Sequence, residues 1–190
     1  LDAARLWLRL GERNVVLVNE KMESSVPGIY AAGSVTGRSP DPVLSEESGR
    51  VAAKNALGKE RALNLDHVPF IIHNDPEMAS VGCSVNSAQY KGFRAVEGRC
   101  DYSVLDHSIV SGETVGLFKV VADKTTKKVI GVHIFGRGSS EMITLAALAV
   151  KKGLAVSDLT ALSCGWPTRF QGLKRAARMC LDRLSLRSPD

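Results

Sequence analysis

The stretch VGLFKVVADKTTKKVIGVHIF, residues 115–135, decides the fold class. Its outer parts, 115–122 and 129–135, are dense in β-branched and aromatic residues, and the DKTTKK between them is polar. Two apolar runs joined by a short polar connection predict an antiparallel hairpin. Upstream, residues 68–72, 78–81 and 93–96 share this texture and predict three more short strands, with Cys100 in a loop after the last. Downstream the apolar period lengthens, and helices are expected over 139–152, 157–162 and 168–185. In the last of these Phe170, Leu173, Ala177, Cys180, Leu181 and Leu184 fall on one face, which makes Cys180 a small core residue. Strands followed by helices, without alternation, predict an α+β fold: an antiparallel sheet with one face covered by helices.

Ahead of this lies a different unit. Residues 15–18 and 26–33 are apolar enough to predict strands, 34–42 form a loop rich in Gly, Ser and Pro, and a helix is expected over 44–57, ending at Gly58. Strand, loop and helix in that order can aim backbone N–H groups at a ligand, and equally can serve only to join two layers. Lys59 to His67 is polar. The expected organisation is therefore 1–60, a linker over 61–67, and a main domain over 68–190.

Composition narrows the function classes. With 190 residues, 44 % of them hydrophobic, the chain can bury a real core. The longest apolar stretch, 142–150, is about nine residues, against roughly 20 for a membrane-spanning helix, so no span is expected. The first residues lack the ordering of a signal peptide and look like the continuation of a longer chain. Cys83, Cys100, Cys164 and Cys180 form no CxxC pair, so no metal site is signalled, and reduced thiols in a cytoplasmic protein are expected. Much of the net charge of +5 comes from Arg169, Lys174, Arg175, Arg178, Arg183 and Arg187. Without aromatic or Gly-rich recognition patterns this reads as a solvated helix face, and no nucleic-acid partner is expected. GRGSSE, residues 136–141, imitates the start of a dinucleotide fingerprint. Its sixth position is Glu141, whose carboxylate would oppose both close helix packing and a pyrophosphate. His67, His73, His107 and His133 are dispersed, with no ligand spacing.

Six segments then fall into a familiar order: VPGIYAAGS (26–34), LSEESGRVAAKNALG (44–58), VPFIIHNDPEMASVG (68–82), GLFKVVAD (116–123), VIGVHIFG (129–136) and EMI (141–143). Together they resemble the C-terminal part of the pyridine nucleotide-disulfide oxidoreductases. The resemblance implies that 68–190 is the family's dimerisation domain, forming a homodimer, and that 1–60 is the end of an FAD-binding domain. It also implies a parent with FAD, NAD(P)H and a redox-active cysteine pair, held mainly by N-terminal FAD and NAD domains missing from this chain. Within the chain, Gly33, Ser34 and Val35 would touch FAD weakly. The family motif there ends in Gly-Asp, where this sequence has Gly33-Ser34, and a serine hydroxyl keeps one hydrogen bond.

The harsher departure lies near the C-terminus. The family places an acid–base His and its orienting Glu in His-Pro-Thr-x-x-Glu, where this chain has WPTRFQ, residues 166–171. Trp166 and Gln171 cannot exchange protons near neutral pH, so no catalytic residue is assigned here and dithiol exchange is not expected. An acceptor reduced directly from flavin, such as a quinone, suits this better. Thr168 and Gln171 have the spacing of a capping box, while Trp166 is expected to pack, or else to meet a substrate or partner subunit. Cys164 could replace a redox thiol only if exposed and acidified. The expected function is the dimerisation portion of an FAD-dependent NAD(P)H oxidoreductase, inactive alone; the alternative is a non-catalytic, self-associating module descended from that family.

Overall fold

The computed structural model describes residues 5–38 and 41–185. They form two compact units, Leu1–Leu65 and Asp66–Asp190. Among the described residues no helix is long and apolar enough to cross a membrane.

The second unit is α+β. Five strands, β1 (Phe70–Ile72), β2 (Met78–Gly82), β3 (Ala95–Asp101), β4 (Gly116–Asp123) and β5 (Val129–Gly136), form one sheet in the order β1-β2-β5-β4-β3. Every neighbouring pair is antiparallel. The antiparallel hairpin that the sequence predicts is formed by β4 and β5, which lie inside the sheet. The hairpin turn is closed by Asp123, whose Oδ2 accepts from Thr126 N at 2.9 Å and Thr126 Oγ1 at 2.8 Å. Side chains alternate across the strands. Ala79, Val81, Phe118, Val120, Val132 and Ile134 point to the covered face and are buried.

That face is covered by α4 (Ser139–Lys152), α5 (Val156–Ala161) and α6 (Phe170–Ser185). From α4, Ile143, Ala146 and Ala149 enter the core; from α6, Leu173, Ala176, Ala177 and Cys180 do so. Cys180 is thus the core residue its spacing predicts. The seat of α6 is unusually close. A Cβ added to Gly98 on β3 would run into Ala176 O and Cys180 N, and one added to Gly172 on α6 would strike the Phe118 ring. Phe118 in turn stacks on Tyr102, with ring centroids 4.8 Å apart, and the Tyr102 hydroxyl donates to Arg137 O at 3.3 Å.

The start of α4 is held from outside the helix. Its N-cap is Gly138, which has no capping side chain. Glu77, just before β2, fills the role: its Oε2 accepts from Ser140 N at 3.1 Å and from Ser140 Oγ at 2.8 Å. The carboxylate satisfies an otherwise open helical donor and sits at the positive end of the helix dipole. Residues 136–141 therefore form a turn into a helix after an antiparallel strand, not the parallel unit a dinucleotide fingerprint requires.

Several boundaries differ from the sequence expectation. Cys100 lies within β3, which begins at Ala95 and runs through Asp101, instead of in a loop after 93–96. Its side chain alternates inward with Gly98 and is buried. Two helices were not predicted: α2 (Val85–Tyr90), opened by a Ser84–Ser87 capping box, and α3 (Asp106–Ser111). The expected capping box on α6 is absent. Thr168 Oγ1 instead donates back to Gly165 O at 2.9 Å, and Gln171 Oε1 is buried without a partner.

The first unit departs further. Residues 15–18 and 26–33 are not strands. The segments make only the isolated bridges Leu10↔Val16 and Glu23↔Tyr30, because a strand exists only as a ladder and neither finds more than one bridging partner here. Val26 to Ile29 is a turn closed by Ile29 N donating to Val26 O at 3.1 Å. Pro27 and Gly28 at its corner, the latter at φ +79, suit a type II turn. Helix α1 (Pro42–Ala56) starts earlier than expected, because Asp41 caps it by accepting from Leu44 N and Pro42 occupies its first turn. Its inward residues Val51 and Ala52 meet Met22 in a small core. Leu63, within the expected linker, donates to Glu20 O at 2.8 Å.

Two predictions follow from the sheet and its helices. Gly98→Ala pushes α6 off β3 against backbone atoms that cannot rotate away, and is expected to destabilise by about 1–3 kcal/mol, read as a lower midpoint in urea. Glu77→Ala removes the cap of α4 and costs about 1 kcal/mol at pH 7. The Ser140 N–H bond holds the Glu77 carboxyl below its ordinary value of 4.5. Its contribution is therefore present above that value and lost as pH falls through the lowered one, so unfolding curves of the two proteins should converge in acid.

Candidate functional site

Two places concentrate chemistry in the second unit. The first is a groove of about 610 Å³ between α6 and the loop that leads into it. Gln171, Lys174, Arg175 and Arg178 line one wall, at the i, i+3, i+4, i+7 spacing that puts side chains on one helical face. Opposite stand Cys164 and Trp166 from the loop and Asp106 from the start of α3. Short α5 leaves an irregular path over 162–169, including a cis Trp166–Pro167 bond, and this path carries the loop residues outward.

Trp166 is 72 % exposed. It does not pack into the core, and is held instead by its indole N–H, which donates to Asp106 Oδ2 at 3.1 Å. Asp106 is also 3.9 Å from Arg175 Nη2. Lys174 Nζ donates to Leu162 O at 2.7 Å, and Arg175 Nη1 to Val104 O at 2.5 Å. These bonds tie the helix to both flanking loops. Below the groove, Glu113 bridges Arg169 and Arg137, joining the loop before β4, the turn after β5 and the entry to α6. The structure thus brings together Trp166 and Gln171, the two residues that stand where the resemblance expects an acid–base pair. It adds Asp106, which the sequence reading missed because it lies 60 residues from Trp166.

Cys164 shares the groove and is partly exposed, whereas Cys83, Cys100 and Cys180 are buried and lie outside it. No second thiol faces it. His133 lies on β5, where its Nε2 is 3.2 Å from Cys83 O. Burial pushes its pKa down, and it serves the sheet.

The second place is the sheet face opposite the helices. Phe70, Ile72 and Met78 are 47 %, 43 % and 44 % exposed there. With Leu117 and Phe135 they border an apolar depression of about 370 Å³. Glu97, paired with Lys119 and Arg99, supplies the polar side of this face.

In the first unit, Gly33, Ser34 and Val35 share a single 3-10 turn, Gly33–Thr36. Gly33 N donates to Ser48 Oγ at 3.0 Å, so it is already engaged with α1. Ser34 and Val35 are exposed. The N-terminus of α1 is capped by the Asp41 carboxylate, and Pro42 lacks an N–H. This set offers FAD one hydroxyl beside a carboxylate and does not, by itself, fit the group.

Comparison with known proteins follows the same division. Residues 68–177 match the family described as pyridine nucleotide-disulphide oxidoreductase, dimerisation domain. The chain is 35 % identical over 178 residues to a mercuric reductase of Lysinibacillus sphaericus, covering 93 % of this chain and 33 % of that protein. It is 35 % identical over 180 residues to a dihydrolipoyl dehydrogenase of Thermus scotoductus, covering 93 % and 38 %. Among solved structures, LpdA of Mycobacterium tuberculosis superposes with a TM-score of 0.85 at 27 % identity, over 94 % of this chain and 39 % of that one. The chain therefore spans little more than a third of the relatives it matches.

Proposed function

Because this chain belongs to the pyridine nucleotide-disulphide oxidoreductases and carries their dimerisation domain over residues 68–177, we propose that it is the self-associating C-terminal portion of an FAD-dependent NAD(P)H oxidoreductase. The observation that carries the assembly role is the bare sheet face, where Phe70, Ile72 and Met78 remain nearly half exposed around an apolar depression. Contiguous apolar surface of this kind is where a second copy gains by docking. The chain forms a homodimer, and its remaining partners are the FAD and NAD domains of the parent. Four unpaired cysteines support a reducing compartment, the cytoplasm.

FAD, when bound by the parent, supplies electron transfer from NAD(P)H. Residues 1–60 are the end of the FAD-binding domain and 61–67 the linker, and the Ser34 hydroxyl does not by itself make a flavin site. Neither Trp166 nor Gln171 moves a proton in the reaction. Trp166 offers an indole N–H already engaged with Asp106, and Gln171 is a neutral amide. Dithiol exchange lacks its acid–base pair, and an acceptor that takes electrons directly, such as a quinone, fits what remains. The chain alone is inactive.

The assembly role is tested by replacing Phe70 and Phe135 together with Asp. Sedimentation velocity is expected to change from a dimer to a monomer, with an unaltered circular dichroism spectrum because both side chains face outward. A dimer that persists in the double variant would remove this face from the assembly.

A further inference from the structure

We propose that the groove between α6 and the 162–169 loop binds a small organic anion with a flat unsaturated body. The anionic part follows from charge. Lys174, Arg175 and Arg178 face a single carboxylate, Asp106, which leaves an excess of two positive charges (three minus one) within the groove. The Arg178 side chain has no hydrogen bond or ion pair among the described residues, and Lys174 and Arg175 each spend only one donor on a backbone carbonyl. An ammonium carries three donors and a guanidinium five, so several remain for carboxylate or phosphate oxygens.

The flat body follows from Trp166. An indole exposed to 72 % would ordinarily be free to turn, yet this one is fixed through its N–H to Asp106. The ring lines the groove, and aromatic rings favour planar, unsaturated partners.

The site is independent of the assembly proposed above, since every residue named lies on one chain; a monomer that binds the probe would overturn the assembly and leave this inference standing. The test is calorimetric titration of the full chain with 4-hydroxybenzoate, alongside cyclohexanecarboxylate and inorganic phosphate. Saturable binding of 4-hydroxybenzoate is expected with a Kd of about 1 mM or tighter, with both comparators weaker. Arg178→Glu should weaken it roughly tenfold or more, as loss of a charged hydrogen bond does. Trp166→Leu should weaken it by roughly fivefold through the lost ring contact. Both residues are exposed, and an unchanged unfolding midpoint verifies each variant's fold. Absence of saturation, equal binding of the comparators, or full affinity in Arg178→Glu would each overturn the proposal.

Discussion

The backbone of α6 lies against the backbone of β3, and the rest of the second unit depends on that approach. Gly98 leaves room for Ala176 O and Cys180 N, and Gly172 leaves room for the edge of Phe118. With no side chain between helix and sheet at these points, Leu173, Ala177 and Cys180 reach fully into the core. The opposite stripe of the same helix, from Gln171 to Arg178, is thereby forced outward along the groove. The placement of the basic residues follows from the packing of the apolar ones, because a helix has one set of faces to share. Likewise, once alternation commits Val120, Val132 and Ile134 to the helices, Lys119, His133 and Phe135 must stand on the other side.

What the sequence reveals follows the length and regularity of each element. The hairpin of β4 and β5 and the helix α4 are long, strongly periodic and bounded by glycines or polar turns, and their extents agree with the reading to within a residue. Of the three six-residue helices, each under two turns, α5 was read and α2 and α3 were missed. For α2 the Ser84–Ser87 cap was the available signal. Residues 15–18 and 26–33 carry strand composition without a ladder to join, and Pro27-Gly28 marks the turn that composition concealed. Composition describes a preference, whereas a strand is a relation between two segments.

The candidate site was legible in part, for the same reason. Trp166 and Gln171 stand out because a motif leads the eye to them. The consequences drawn from spacing alone were less secure: Thr168 turns back to Gly165 and caps nothing. Asp106, which fixes the indole, and Glu77, which caps α4, both act across long sequence separations, where no local pattern points. A tryptophan held at the rim, a neutral amide at the root and three cations opposite one carboxylate are what the structure places there.

The central claim is that the unit following Leu65 exists to join two copies. Its most direct test is the mass of the unaltered chain by light scattering across a dilution series, with and without FAD. The account predicts about twice the single-chain mass of 20.4 kDa, dissociating only on dilution and indifferent to FAD. A mass of one chain at every concentration would contradict it, and would leave the bare sheet face to some other occupant.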